Sequence, residues 1–82
     1  MTAPELERLR RKAVKAEARQ AQALGTWIRW RKEAAKLARQ GYPPTASKLR
    51  AARNQRSAAA TRWSKARAKA RALWYAYRTA KG

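Results

Sequence analysis

The stretch GYPPT at residues 41–45 is the only clear interruption in a chain of 82 residues that is otherwise rich in helix formers. Gly41 can end a helix in a left-handed conformation, and the two prolines that follow prevent that helix from continuing. Thr45 or Ser47 can then cap a second helix, because a hydroxyl oxygen accepts a hydrogen bond from a free backbone N–H group. The stretch therefore predicts a single turn between two helices.

Strong helix formers, chiefly Ala, Arg, Lys, Leu and Gln, dominate the sequence on both sides of this turn. Near the amino terminus, Thr2 has the position of an N-cap, with Glu5 three residues later as its capping-box partner. Pro4 falls in the first turn, where a proline is tolerated. We therefore predict two helices, at about residues 3–40 and 46–80.

Apolar residues recur along both predicted helices at alternating spacings of three and four residues. Nine of the ten stripe positions in each helix are apolar, although only 45% of the whole chain is hydrophobic. A heptad stripe of this length is typical of coiled-coil packing. Gly25 lies on the face opposite the stripe, which favours one continuous first helix over three helices with Thr26 as an additional N-cap. The stripe consists of Leu6, Leu9, Ala13, Ala16, Gln20, Ala23, Trp27, Trp30, Ala34 and Leu37 in the first helix and of Leu49, Ala52, Arg56, Ala59, Trp63, Ala66, Ala70, Leu73, Tyr77 and Ala80 in the second.

The two stripes match each other when the chain folds back at the prolines. In this register Trp27 and Trp63 each face an alanine, so that large and small side chains alternate across the seam. Trp30 faces Arg56, and the guanidinium of this one charged stripe residue can stack on the indole. We predict an all-α fold: an antiparallel two-helix hairpin with coiled-coil-like packing, which forms a single domain over residues 1–82. The layers nearest the turn pair Leu37 with Leu49 and Ala34 with Ala52.

The composition excludes most catalytic chemistry. The chain has no Cys and no His, and its only carboxylate side chains are those of Glu5, Glu7, Glu17 and Glu33. Without Cys there is no disulfide and no thiolate metal site, and these four carboxylates cannot build a catalytic dyad or a metal cage. We therefore expect a protein that is not an enzyme, with no cofactor, no metal and no small-molecule substrate.

The charge of the chain points to an anionic partner. Its 22 Lys and Arg residues against 4 acidic residues give a net charge of +18, whereas solubility needs a magnitude of only about 2–8. A row of cations at helical spacing matches a phosphate backbone, since each contact neutralises charge and releases a counterion. We predict largely sequence-independent binding of DNA or RNA, which the pattern does not distinguish. The predicted phosphate-binding flank of the hairpin consists of Arg8, Lys12, Lys15, Arg19, Arg29, Lys36, Lys48, Arg62, Lys65 and Lys69.

The other flank of the predicted hairpin carries apolar residues bordered by arginines. An apolar strip rimmed by Arg suits a protein interface, in which Arg and Trp are common anchors. Pairing two copies of the chain through this strip would make a homodimer with the architecture of a four-helix bundle. The strip equally suits another protein with an acidic surface. The residues predicted for this interface are Val14, Ala21, Leu24, Ile28 and Trp74.

Three aromatic residues outside the stripes, Tyr42, Trp74 and Tyr75, are predicted to be exposed. Aromatic rings among cations can stack on unpaired bases, which is a second route to nucleic-acid binding. The rings of Trp74 and Tyr75 can equally fold over the open end of the hairpin, which would give them a structural role instead.

Two other functions are compatible with the sequence. The first alternative is a protein-binding accessory or inhibitor module that docks on an acidic partner surface. The second is a cationic membrane-surface protein, which the alanine-rich apolar face disfavours because interfacial helices need bulky side chains. No secretory signal or membrane-spanning segment is recognisable, so we expect a cytoplasmic protein. Small basic helical hairpins occur among ribosomal, nucleoid and phage or bacterial accessory proteins, which is a similarity of type only.

Overall fold

Two long helices make up almost the whole chain in the computed structural model, which describes residues 1–82. Helix α1 comprises Ala3–Arg39, and helix α2 comprises Ser47–Lys81. The helices pack against each other and form a rod of 59 × 15 × 13 Å. The long dimension is that of one helix of 37 residues at about 1.5 Å per residue, so the chain folds back once. The predicted all-α hairpin is confirmed, with helix ends within one residue of those expected.

Helix α1 begins at the predicted cap. Thr2 has the extended backbone angles of an N-cap, φ −78° and ψ 159°. Its Oγ1 accepts a hydrogen bond from the backbone N–H of Glu5 at 3.4 Å, and no return bond to the Glu5 carboxylate accompanies it. The capping box is therefore half formed. The Glu5 carboxylate still favours the helix, because a negative charge in the first turn lies at the positive end of the helix dipole.

The end of α1 is a left-handed glycine cap, as predicted. Gly41 has a φ of 92°, and its N–H donates to the carbonyl of Ala38 at 3.1 Å. The N–H of Tyr42 donates to the carbonyl of Leu37 at 3.2 Å. These two bonds make a Schellman motif, which satisfies carbonyls that the helix leaves free. The Tyr42 ring packs against the buried cluster that contains Leu37, so the cap also joins the turn to the core.

The start of α2 differs from the prediction. Its N-cap is Ala46, with φ −64° and ψ 134°, and no side chain caps the helix. The N–H of Ala46 donates to the carbonyl of Pro43 at 2.9 Å and closes a turn. Ser47 is then the first helical residue, and Thr45 lies one residue before the N-cap position. The prediction that Thr45 or Ser47 caps α2 is therefore wrong.

The seam between α1 and α2 follows the predicted stripes. All twenty stripe residues are buried or half-buried, and α1 continues through Gly25 without a break. Eight residues are fully buried, and six of these are alanines. The small side chains make a thin core, in which each layer contributes little buried area. As the register predicts, the layers nearest the turn form one cluster, which consists of Ala34, Leu37, Leu49 and Ala52.

The tryptophans of the seam pack differently from the prediction. Trp27 and Trp63 stack on each other with ring centroids 5.3 Å apart and planes inclined by 2°. The two rings belong to neighbouring layers of the predicted register and stack across the seam. Arg56 does not cover Trp30, and that prediction is wrong. The guanidinium of Arg29 lies over the ring instead, 5.3 Å from its centroid.

Replacing Gly25 by alanine should stabilise the hairpin by about 0.5–1 kcal/mol, because glycine retains more backbone freedom in the unfolded chain. A Cβ added at Gly25 meets no atom within 4 Å. Thermal denaturation followed by circular dichroism measures the change. The matched control is Gly41→Ala, which should lower the melting temperature because Gly41 has a positive φ. Similar shifts in the two variants would contradict the different roles of these glycines.

Replacing Ala46 by aspartate should stabilise the hairpin by about 1 kcal/mol, because α2 then gains the missing side-chain cap. Chemical denaturation of the two proteins gives the difference in the free energy of unfolding. Thr45→Ala is the control for position, since Thr45 lies before the cap and its loss should leave the free energy of unfolding unchanged. A larger change in the free energy of unfolding for Thr45→Ala than for Ala46→Asp would instead support Thr45 as the cap of α2.

Candidate nucleic-acid interface

The seam divides the surface of the rod into two flanks. Because the stripe positions of α1 and α2 face each other, the heptad positions on either side of the seam lie on opposite sides of the hairpin. The Lys-rich flank consists of the ten residues predicted to bind phosphate, of which six are lysines. The opposite flank, the Arg-rich flank, has eight cations, of which seven are arginines. These are Arg10, Arg31, Arg50, Arg53, Arg67, Arg71, Arg78 and Lys81.

All ten cations of the Lys-rich flank are exposed, and the fold brings four of them together from the two helices. They surround a groove of about 370 Å³ whose floor is formed by apolar residues of the seam. No carboxylate lines this groove, so its cations face one another with nothing to neutralise them. The lining residues are Lys12, Lys15, Ala16, Arg19, Lys69 and Leu73.

The other six cations of the Lys-rich flank are spread along the rod. Arg29 lies over Trp30, and the Nζ of Lys48 lies 5.8 Å from the centroid of the Tyr42 ring. Lys36 lies on the outer face of α1. These contacts hold some side chains near aromatic rings but leave their charge exposed. The residues Arg8, Arg62 and Lys65 are exposed and line no groove.

Few cations of the chain have a carboxylate partner. The only ion pairs join Glu7 to Arg10, with Nη2 and Oε1 3.0 Å apart, and to Arg11, with Nε and Oε1 3.3 Å apart. The hydrogen bond from Arg10 lowers the pKa of Glu7. None of the ten cations of the Lys-rich flank is in an ion pair, and their charge is available to an external anion.

The Arg-rich flank contains a second groove, at the carboxy-terminal end of the flank predicted as an arginine-bordered protein interface. The indole Nε1 of Trp74 donates a hydrogen bond to Oε2 of Glu17 at 2.9 Å. Around this contact lies a groove of about 460 Å³, to which α2 contributes three arginines at spacings of four and seven residues. That spacing places the three arginines on one face of α2. The arginines are Arg67, Arg71 and Arg78.

The apolar strip predicted for a protein interface lies on this same flank but is only partly free. Val14 is 44% exposed, and Ala21 is exposed. Leu24, Ile28 and Trp74 are half-buried. The free apolar surface is therefore smaller than the sequence suggests.

The aromatic residues are mostly occupied within the hairpin. Tyr75 is 70% exposed, as predicted. Tyr42 and Trp74 are half-buried, so their predicted exposure is wrong. Tyr42 packs on the core beside the turn, and the Trp74 ring meets Tyr77 edge to face with centroids 5.9 Å apart. A single free ring remains for contacts with bases.

No group of three or more metal-ligating side chains occurs in the structure. Neither α1 nor α2 combines the length and the apolar character that crossing a membrane requires. No known protein family, curated protein or solved structure matches the chain. Function is therefore inferred from the chemistry of the two flanks.

A homodimer through the apolar strip stays a prediction with a direct test. A wild-type protein that forms this homodimer sediments at twice the mass of one chain and has its Arg-rich flank covered. Val14→Glu combined with Ala21→Glu should restore the monomer, because both residues are exposed and their replacement leaves the seam intact. Circular dichroism should show unchanged helicity. A monomer before and after the substitutions would exclude the homodimer and the four-helix bundle.

Proposed function

We propose that this chain is a non-enzymatic basic protein that binds nucleic acid through the phosphate backbone, largely independently of base sequence. The observation that carries the proposal is the groove of the Lys-rich flank, in which Lys12, Lys15, Arg19 and Lys69 converge without a carboxylate. Cations held together by two packed helices are already arranged for phosphates, and phosphate contacts position a protein without reading sequence.

The charge of the whole flank supports this proposal. Its ten cations and the carboxylates of Glu5 and Glu33 give a net charge of +8. Contact with phosphates relieves the repulsion among these cations and releases the counterions of the nucleic acid. A rod 59 Å long lies beside roughly 35 phosphates of duplex DNA, which carries one charge per about 1.7 Å of its axis. Phosphates are therefore in excess over the cations of the flank.

The aromatic residues favour a duplex over a single strand as the ligand. Proteins that bind single strands stack bases on exposed aromatic rings. In this hairpin Trp27 and Trp63 stack on each other, and Trp74 is bonded to Glu17. With only Tyr75 free, the protein lacks a row of rings on which successive bases could stack. Phosphate contacts along a duplex are the better match.

Side chains that could read base sequence are scarce on the Lys-rich flank. Base edges are read by hydrogen bonds, for which Asn and Gln are well suited. The chain has one Asn and four Gln; Gln20 lies in the seam, and Gln55 lines a groove beside Lys48. Lysine, which predominates on this flank, binds phosphate as a point charge. Binding should therefore depend on the backbone of the nucleic acid rather than on its bases.

The affinity for a random-sequence DNA duplex should fall steeply with salt. Six to eight phosphate contacts predict a slope of log affinity against log salt concentration of roughly −5 to −7. Each of the substitutions Lys12→Gln, Lys15→Gln and Lys69→Gln should flatten the slope by about 1 and leave any sequence preference unchanged. Fluorescence anisotropy of a labelled duplex at several salt concentrations measures the slope, and a duplex RNA measured in parallel ranks the two nucleic acids.

The matched controls are Arg50→Gln, Arg71→Gln and Arg78→Gln, which remove the same charge from the Arg-rich flank. These substitutions should change the slope for a single duplex less than those in the groove. Equal losses from the two flanks would show that net charge, rather than the Lys-rich flank, determines binding. An affinity that does not respond to salt would overturn the proposal.

The alternative function, docking on an acidic partner protein, is favoured by the groove that Trp74 shares with Arg67 and Arg71, since Trp and Arg commonly anchor protein interfaces. Competition distinguishes the two functions. Polyglutamate carries carboxylates but no phosphates, and we expect it to displace the duplex poorly. Efficient displacement by polyglutamate would favour the acidic partner. A cytoplasmic location, where nucleic acid is accessible, is part of the same proposal.

A further inference from the structure

The groove around Lys12 and Lys69 and the groove around Trp74 face opposite directions. The groove of the Lys-rich flank includes Ala16, and the groove of the Arg-rich flank includes Ala70, which the register pairs in one layer of the seam. The grooves have no residue in common. They therefore lie back to back across a rod whose cross-section is 15 × 13 Å.

The Arg-rich flank has a large positive charge of its own. Its eight cations and the carboxylates of Glu7 and Glu17 give a net charge of +6. Glu7 is paired with Arg10 and Arg11, and Glu17 accepts the hydrogen bond from Trp74. The other seven cations of this flank have no carboxylate partner. Most are arginines, whose planar guanidinium binds phosphate in a bidentate manner.

One straight duplex cannot contact both flanks, since they lie on opposite sides of a straight rod. A duplex on the Lys-rich flank leaves the net charge of +6 on the Arg-rich flank exposed to solvent. The bound duplex also keeps most of its negative charge, because roughly 35 phosphates lie along the length of the rod and the flank supplies far fewer cations. The exposed arginines attract whichever polyanion is nearest, and a second duplex is a polyanion of the same kind.

We propose that the hairpin bridges two nucleic-acid duplexes, one on the Lys-rich flank and one on the Arg-rich flank. This inference rests on the proposed function and adds a second binding surface to it. Phosphates of the second duplex then contact four arginines of this flank, which are Arg50, Arg67, Arg71 and Arg78. Such a protein gathers separate duplexes, or distant segments of one duplex, without bending either of them.

Capture of one duplex by another tests the bridge. A biotinylated duplex of about 20 base pairs, slightly longer than the rod at about 3.4 Å per base pair, is immobilised and loaded with the protein. A second, fluorescent duplex is then added, and its retention is measured. Wild-type protein should retain the second duplex, and retention should fall as salt rises. In solution with duplex in excess, native mass spectrometry should show one chain with two duplexes.

The decisive variant combines Arg50→Gln, Arg71→Gln and Arg78→Gln. Loss of three phosphate contacts should lower retention of the second duplex by at least about tenfold. Binding of the first duplex, which uses the Lys-rich flank, should change by less than about threefold, since none of its contacts is removed. Fluorescence anisotropy with a single duplex measures binding of the first duplex independently of capture. Circular dichroism verifies that the variant is folded.

The matched control combines Arg11→Gln, Lys32→Gln and Arg39→Gln. These exposed residues lie on the outer edge of α1 and belong to neither flank, and their loss removes the same total charge. Retention of the second duplex should remain close to that of the wild type. Equal loss of retention in the two triple variants would overturn the role of the Arg-rich flank.

Other results separate this inference from the proposed function. Binding of the first duplex without capture of a second would overturn the bridge and leave the proposed function standing. Absence of binding to the first duplex would overturn both. Complexes that always contain two chains for two duplexes would overturn bridging by one hairpin, because a homodimer would then join the duplexes through its two Lys-rich flanks.

Discussion

The stack of Trp27 on Trp63 is the contact on which the hairpin depends most. Six of the eight buried residues are alanines, and each buried methyl group contributes only about 0.8 kcal/mol. An aromatic pair adds about 0.5–1.5 kcal/mol beyond the large area that its rings bury. The stack persists although Nε1 of Trp63 is buried without a hydrogen-bond partner. Arg31 and Arg67 lie over the two rings, 5.2 and 5.6 Å from the centroids, and reinforce the stack through cation–π attraction.

The seam that this stack joins also determines how the charge is distributed. Of the 22 cations, only Arg56 belongs to a stripe, so the others lie on the two flanks and the outer edges. Like charges on so thin a rod repel one another, which weakens the folded state. A polyanion that binds the folded hairpin removes this repulsion and stabilises the fold by the free energy of binding. Folding and nucleic-acid binding are therefore coupled in the proposed function.

The heptad pattern predicts which cations share a flank, because the direction of a side chain on a helix follows from its position in the turn. It does not predict the grooves, since the approach of Lys69 to Lys12 and Arg19 depends on the register and separation of two helices. The same limit applies to the apolar strip. Leu24 and Ile28 are half-buried although their heptad positions lie outside the stripe.

By itself the sequence determined the number of helices, their ends to within one residue, the continuity of α1 through Gly25 and the face of each helix that is buried. These features follow from helix propensity, from the Gly-Pro-Pro turn and from periodicity, all of which are local properties of the chain. Only the tertiary structure decided the ring that Trp63 stacks on, the cation that covers Trp30 and the acceptor for the Trp74 indole. These contacts depend on side-chain rotamers and on the final approach of the two helices, and several partners satisfy the same heptad pattern.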